Sequence, residues 1–385
     1  MTATPVVLES RPDRAPEGTA AAEVENTDVP RLRDIAASAR PADVDRALAA
    51  SRPTLADFAA LLSAPASERL ESLAQKAHRI TRARFGATVR LFSPLYLSNE
   101  CVSTCTYCGF SAGNDIHRRT LTLDEVHAEA AELHRRGFRH LLLVSGEHAR
   151  IVSRQYLYEC VAAVAPNFAQ VDVEVQVWDT DAYRSLAAAG ADGVIVYQET
   201  YDRDTYSAVH LKGKKRNYAW RLAAPDRAAA AGIRRLGIGA LLGLHPDWRS
   251  DAISLAVHGR ALIKRWWRCE VQLALPRLRP AAGGYLPADP VADSDLVQLL
   301  CALRIVLPDV GVSLSTREPA ELRDALVPLG VTAMSAGSHT EPGGYAEETD
   351  AEPQFEISDH RSPAAVAAML RAAGYDPVWK DWQRV

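Results

Sequence analysis

Three of the chain's six cysteines, Cys101, Cys105 and Cys108, stand together in the stretch LYLSNECVSTCTYCGFSAGN, residues 95 to 114. Thiolates are soft ligands suited to zinc and to iron–sulfur clusters, and no fourth cysteine follows nearby. A closed structural site normally takes four protein ligands. Three thiolates on a 4Fe–4S cube instead leave one iron without a protein ligand, able to chelate a small molecule. The alternatives are a three-cysteine zinc site completed by a distant histidine, and coincidence. Cys160, Cys269 and Cys301 are scattered singly and read as small buried hydrophobes.

Further polar residues stand at regular intervals, each at the end of a short apolar run. They are Ser145–Gly146–Glu147, Gln198–Glu199–Thr200, Arg277 and Arg279, Ser315 and Arg317, and Ser335 and Ser338. Eight β-branched, apolar runs precede or contain them: TVRLFSPLYLS (88–98), HLLLVSGE (140–147), VDVEVQV (171–177), GVIVYQE (193–199), LGIGALLGL (236–244), CEVQLALPRL (269–278), GVSLSTRE (311–318) and VTAMSAGS (331–338). Between them lie helical stretches such as TLDEVHAEAAELHRRG and AAPDRAAAAGIRR. Alternation at this spacing predicts parallel βαβ units, and eight of them predict a closed (β/α)8 TIM-type barrel, an α/β fold. In such a barrel the C-terminal strand ends share one face, where active sites gather. The three cysteines follow the first run directly and so belong to that face.

The remainder reads as additions to the barrel. Residues 1–30, rich in Ala, Pro, Glu and Thr, are expected to be disordered. Residues 31–85 (PADVDRALAAS, TLADFAALLSA, SERLESLAQKAHRITRARFG) carry helical spacing and form a helical preface, with Ser67 or Thr54 as N-caps. Residues 86–385 are then the barrel with a C-terminal helical and loop cap. With 48% hydrophobic and 24% charged residues and a net charge of −4, the chain has an ordinary soluble composition. The slight acidity argues against nucleic acid as a partner. No apolar run is long enough to span a membrane, and the N-terminal stretch lacks a basic segment followed by an apolar one. The expectation is a cytoplasmic protein, where clustered cysteines bind metal rather than pair as disulfides.

C-x3-C-x2-C with an aromatic residue, Tyr107, before the last cysteine resembles the cluster loop of the radical S-adenosylmethionine (SAM) superfamily. PLYLSNECVSTCTYCGFS, HLLLVSGEH, VYQETY, HLKGKKRNYAWRL, PRLRPAAGG, SLSTRE, SAGS, PGGYAE and PVWKDW together resemble the aromatic-amino-acid lyases of that superfamily. Among these the similarity is greatest to the tyrosine lyases of the thiamine pathway, the 2-iminoacetate synthases. It runs from about residue 85 to 383.

The resemblance implies a 4Fe–4S cluster on Cys101, Cys105 and Cys108, with SAM on the open iron. Reduction by flavodoxin or ferredoxin would cleave SAM to methionine and a 5′-deoxyadenosyl radical. Bound tyrosine would lose a hydrogen from its amino group and split between Cα and Cβ into 2-iminoacetate (dehydroglycine) and p-cresol. The imine would serve the thiazole of thiamine, with thiazole synthase as a possible protein partner.

Residue by residue, the resemblance places Tyr107, Ser145, Gly146, Glu147, Glu199 and Arg221 at SAM. Glu147 would accept from its ammonium, and Arg221, at the head of the following helix, would pair with its carboxylate. Arg317 would hold the substrate carboxylate, with Ser315, Ser335 and Tyr96 beside it. Each position has a plainer reading, as a loop acid, a helix arginine or a structural strand-end hydroxyl. The basic run Lys212, Lys214, Lys215 and Arg216 either caps the mouth or forms a solvated loop. GIGALLG (237–243) lies inside a strand run, so its glycines serve close approach of adenine or backbone rather than a dinucleotide fold.

Other readings stay open. A lyase of another aromatic amino acid, such as tryptophan, fits the same motifs, and a non-catalytic metal-binding barrel would fit the cysteines alone. The related hydrogenase-maturation tyrosine lyase carries a C-terminal extension with more cysteines, whereas the last cysteine here is Cys301. Walker, HExxH and GxSxG motifs do not occur.

Overall fold

Eight strands fall on the eight runs: β1 (Thr88–Ser98), β2 (His140–Ser145), β3 (Gln170–Glu174), β4 (Gly193–Glu199), β5 (Arg235–Ala240), β6 (Glu270–Ala274), β7 (Gly311–Leu314) and β8 (Ala333–Ser335). The computed structural model describes residues 13–287 and 289–380. All neighbouring strands pair in parallel in sequence order, and β8 and β2 both pair with β1, which closes the barrel. Parallel strands are covered on both faces. Outward side chains such as Leu91, Leu143, Val171, Val173, Leu236, Ile238 and Leu273 accordingly join one continuous core with the surrounding helices.

Helix starts are fixed locally. Thr122 accepts from Glu125 N while the Glu125 carboxylate receives Thr122 N, a capping box that begins the helix Leu123–Arg135. Thr54 and Asp57 do the same for Leu55–Leu61. Ser67 caps nothing. It closes the short helix Ala64–Ser67, whose cap is Ser63, and the long helix Leu70–Phe85 begins after Arg69.

The N-terminal expectation needs correcting from residue 13 onward; residues 1–12 lie outside the described residues. Ala20–Asn26 is helical and packs on the long helix Trp248–Arg265. The reason is Asp226, a buried carboxylate that accepts from Ala20 N (3.1 Å), Ala21 N (3.2 Å) and Trp266 Nε1 (2.8 Å). A buried carboxylate without donors is costly, and a helix N-terminus provides them.

A ninth strand, β9 (Asp376–Val378), pairs in parallel with Thr88–Arg90, the first residues of β1. β8 reaches β1 only from Arg90 onward, so β9 covers an edge that eight equal strands would not leave. After β8 the chain crosses the mouth of the barrel before the helix Pro363–Ala372, and this crossing segment shapes the site.

Candidate active site

Immediately after β1 the chain turns into the cysteine loop, which is held from two sides. Thr104 N and Thr106 N donate to Lys212 O and Val209 O, Leu211 N donates to Thr104 O, and Cys105 bridges His210 in antiparallel register. On the other side Gly109 N donates to Gln354 O at 3.0 Å. A Cβ on Gly109 would meet that carbonyl at 2.5 Å, so only glycine fits there. Cys108 packs against the cluster of Cys105, Tyr107 and Leu241 and also against that of Tyr96 and Phe110, on which Cys101 packs too.

All three thiols are unpaired, and burial pushes each one up: Cys101 to about 11, with Glu147 adding to the effect, and Cys105 and Cys108 upward as well. Lys215 opposes the shift at Cys105 and Cys108. A strongly cationic group is what would turn such a set into thiolates, which fits an iron–sulfur cluster. Among the described residues no three His, Cys, Asp or Glu side chains, these thiols included, are gathered closely enough for a single metal ion.

Tyr107 is oriented by His210. His210 Nδ1 lies 2.8 Å from Tyr206 O, which can only accept, so the ring proton is on Nδ1. Nε2 then accepts from the Tyr107 hydroxyl at 2.8 Å. Burial, followed by the positive charge of Lys215, holds His210 neutral, down to about 3.

Beside the loop lie four charged side chains, all at most 14% exposed: Glu147, Glu199, Lys215 and Arg221. Arg221 pairs with Glu147 at 3.1 Å and reaches Glu199 at 3.9 Å, and Lys215 pairs with Glu199 at 2.6 Å. Burial pushes Glu199 upward, but Lys215 and Arg221 outweigh it and hold the carboxyl below its usual range. Glu199 alone among the described non-glycine residues has a left-handed backbone (φ 71°), at a register shift that ends β4. Such strain costs about 1–3 kcal/mol and marks functional positions; here it turns the carboxylate toward the two cations. Gly146 is required sterically, since a Cβ would meet Glu100 O at 2.2 Å. The Ser145 hydroxyl is buried without a partner among the described residues. Arg221 lies within the short helix Tyr218–Leu222, not at the head of the next one, and its Nε donates to Tyr197 O at 2.8 Å.

A second group of strand ends faces a cavity lined by Tyr96, Glu174, Tyr197, Arg317, Ser335 and Phe355, among others. The Arg317 guanidinium lies over the Phe355 ring, 3.3 Å from its centroid, and among the described residues it has no acceptor. Burial lowers its basicity. Ser335 Oγ and Ser338 Oγ in the same wall are buried without partners among the described residues. Tyr96 donates to Gln354 Oε1 at 2.9 Å, and Ser315 Oγ accepts from Arg317 N at 3.4 Å. The cavity is thus mostly apolar with a few convergent polar groups, the usual form of a small-molecule site.

Several residues from the sequence reading stand apart. Gln198 does not line the cavity, and Thr200 donates to Asp251. Arg277 pairs with Glu318 and Asp293, and Arg279 with Glu318. Lys212, Lys214 and Arg216 are exposed, and of that run only Lys215 turns inward. Gly237 and Gly239 make room for Ile195, Tyr197 and the Ala274 carbonyl, so the close approach is by neighbouring strands. Glu174, Tyr197, Lys215, His210, Gln354 and Phe355 were not singled out as site residues. For Glu174 the signal was present. In VDVEVQV the acids alternate with valines, and an acid on the inner face of a barrel strand has no solvent to face.

Comparison with known proteins agrees with this geometry. Residues 95–256 match the Radical SAM superfamily and residues 274–376 the Biotin and Thiamin Synthesis associated domain. The chain is 48% identical to 2-iminoacetate synthase of Escherichia coli over 89% of its length and 90% of that protein, and 45% identical to the Salmonella typhimurium enzyme over the same shares. Among solved structures, HydG, a maturase of the [FeFe]-hydrogenase, superposes with a TM-score of 0.87 at 30% identity, covering 93% of this chain and 81% of that one. Among the described residues no helix is long and apolar enough to cross a membrane. A barrel carrying three loop thiols and an inward charge network, alike over nearly its whole length to these enzymes, belongs to the 2-iminoacetate synthase family of radical SAM lyases.

Proposed function

We propose that the protein cleaves the Cα–Cβ bond of tyrosine to 2-iminoacetate and p-cresol, and that Cys101, Cys105 and Cys108 hold the 4Fe–4S cluster. The carrying observation is Arg317, a half-buried guanidinium without an acceptor among the described residues, in the wall of an aromatic cavity beside the cysteine loop. Three cysteines on one loop beside the barrel mouth are the donor set that would hold such a cluster, with one iron left to SAM. When bound, the cluster and SAM supply a carbon radical that takes a hydrogen atom from the substrate.

This chain's own residues bind and orient. Glu147 and Arg221 offer one carboxylate and one guanidinium to the amino-acid end of SAM, and Glu199 and Lys215 keep that pair in place. Tyr107, fixed by His210, walls the loop side. Arg317 takes the substrate carboxylate, the Phe355 ring stacks on the guanidinium and fixes its position, and Ser335 offers a hydroxyl. The segment carrying Gln354 and Phe355 covers the mouth and excludes water, which would hydrolyse the imine. The reaction needs a one-electron reductant such as flavodoxin or ferredoxin. A cytoplasmic setting and a thiazole synthase that consumes the imine fit the thiamine-related domain match.

The test is product analysis. Anaerobically reconstituted protein with SAM, reductant and tyrosine should give p-cresol and 5′-deoxyadenosine in parallel. If tryptophan is consumed and tyrosine is not, the substrate assignment fails while the lyase class stands.

A further inference from the structure

Glu174 is the one acid in the cavity wall that the reading above leaves without a task beside the substrate. It ends β3, where Gln170 and Asp172 precede it on the same inward face. Among the described residues no donor lies within hydrogen-bonding distance of its carboxyl, so it meets only the cavity. In the eight-strand ring β3 lies opposite β7, whose end carries Arg317. Guanidinium and carboxylate therefore face each other across one chamber, the arrangement that suits the two charged ends of a free amino acid.

The chemistry asks for such a group. An amino acid arrives as an ammonium, from which abstraction of a hydrogen atom would leave an aminium radical cation, poorly stabilised in an apolar chamber. The neutral amine loses the hydrogen far more readily. We propose that Glu174 pairs with the substrate ammonium held by Arg317 and accepts its proton, presenting the neutral amine to the radical. The N–H bond breaks heterolytically, its electron pair stays on nitrogen, and the proton forms an O–H bond on Glu174. The carboxylate becomes a carboxylic acid and the ammonium an amine, with no change in oxidation state. The inference rests on the amino-acid lyase reading.

The charged and titratable groups that face Glu174 are Glu199, Arg317, Lys215, Arg221, Tyr96 and Tyr197. Burial first, then Glu199, raises its carboxyl to about 7, against the opposing pull of Arg317, Lys215 and Arg221. A base with that proton affinity matches neutral pH.

The test compares wild type with E174Q and E174D, each checked for cluster absorbance and fold. Calorimetry on the cluster-loaded, SAM-bound enzyme measures binding of tyrosine and of its desamino analogue, 3-(4-hydroxyphenyl)propanoate. The inference expects E174Q to weaken tyrosine about tenfold or more while leaving the analogue within about twofold, because only tyrosine carries the ammonium. Turnover should fall about 10²–10⁴-fold, the acid limb of kcat should move up toward the ammonium's own ionisation, and E174D should restore part of both. Equal weakening of both ligands, or full tyrosine turnover by E174Q, would overturn it. Consumption by wild type identifies the amino acid separately. Should that be another aromatic amino acid, the same pair of that acid and its desamino analogue decides Glu174.

Discussion

The mouth and the floor of the barrel interior are built from the same strands yet treat charge in opposite ways. On the floor Arg235 joins Glu270 (2.6 Å) and Asp172 (3.6 Å), Arg90 joins Glu270, and Gln170 donates to Asp172 (2.6 Å). At the mouth, among the described residues, Arg317 and Glu174 make no ion pair and no hydrogen bond through their charged ends. Burial is expensive in both places; neighbouring charges such as Arg277 and Glu318 at the mouth and Arg235 and Glu270 on the floor offset it by pairing, whereas Arg317 and Glu174 do not. Charge left open at the C-terminal strand ends is therefore charge reserved for something that arrives. Phe92, Leu142, Tyr197, Ala274 and Ser313 line both chambers and separate the two regimes.

The largest expected effect lies above the mouth. Cys105→Ala should abolish both 5′-deoxyadenosine and p-cresol and remove the visible cluster absorbance, measured by product chromatography and spectroscopy. Retained SAM cleavage would sink the cluster assignment. Next comes a contrast between two arginines of the β7 and β8 end of the barrel, one half-buried and one buried. Arg323 is committed through both terminal nitrogens, to the Asp359 carboxylate and the Ser335 carbonyl, with its side chain wholly buried. Removing it as Arg323→Ala leaves Asp359 with only Arg361 and should cost about 3–5 kcal/mol in denaturant unfolding. Arg317→Ala strands no partner and should cost under about 1 kcal/mol, yet lower tyrosine turnover about 10²–10³-fold. If the two variants lose stability equally, the reserved-charge account of the mouth is wrong.

That contrast also shows what could be read from the chain. The eight strand runs and the cysteine loop were legible because parallel strands are short apolar words and polar residues at their ends stand out. Arg317 and Arg323 differ by six positions and cannot be told apart without knowing that Asp359 comes back to meet Arg323. Gln354 and Phe355 were invisible for the same reason: they belong to the segment after β8, distant in sequence and brought over the mouth only by the fold. Residues 13–30 read as disordered because Asp226, which orders them, lies two hundred positions away. Lys215 was one cation among four neighbours, and only its turn toward Glu199 distinguishes it. Glu174 needed no fold knowledge beyond the barrel itself, because the alternation in VDVEVQV already set acids on a face that solvent does not reach.

The smallest expected effect sharpens the comparison from below. Asp172 sits on the floor, where burial, with smaller contributions from Asp192 and Glu270, raises its carboxyl to about 8 against the pull of Gln170 and Arg90. The folded protein thus holds a proton that the unfolded chain, with an ordinary value of 3.8, releases. Unfolding is favoured increasingly as pH rises from about 4 to about 8, and no further above that. Asp172→Asn keeps the size of the side chain and its contact with Gln170 but cannot ionise. Its Tm relative to wild type should therefore rise steadily between pH 5 and pH 8 in paired thermal melts. Turnover should stay within about threefold, since Asp172 does not line the upper chamber. A tenfold loss of turnover with no change in the pH dependence of Tm would place the floor in the reaction and dissolve the distinction between the two chambers.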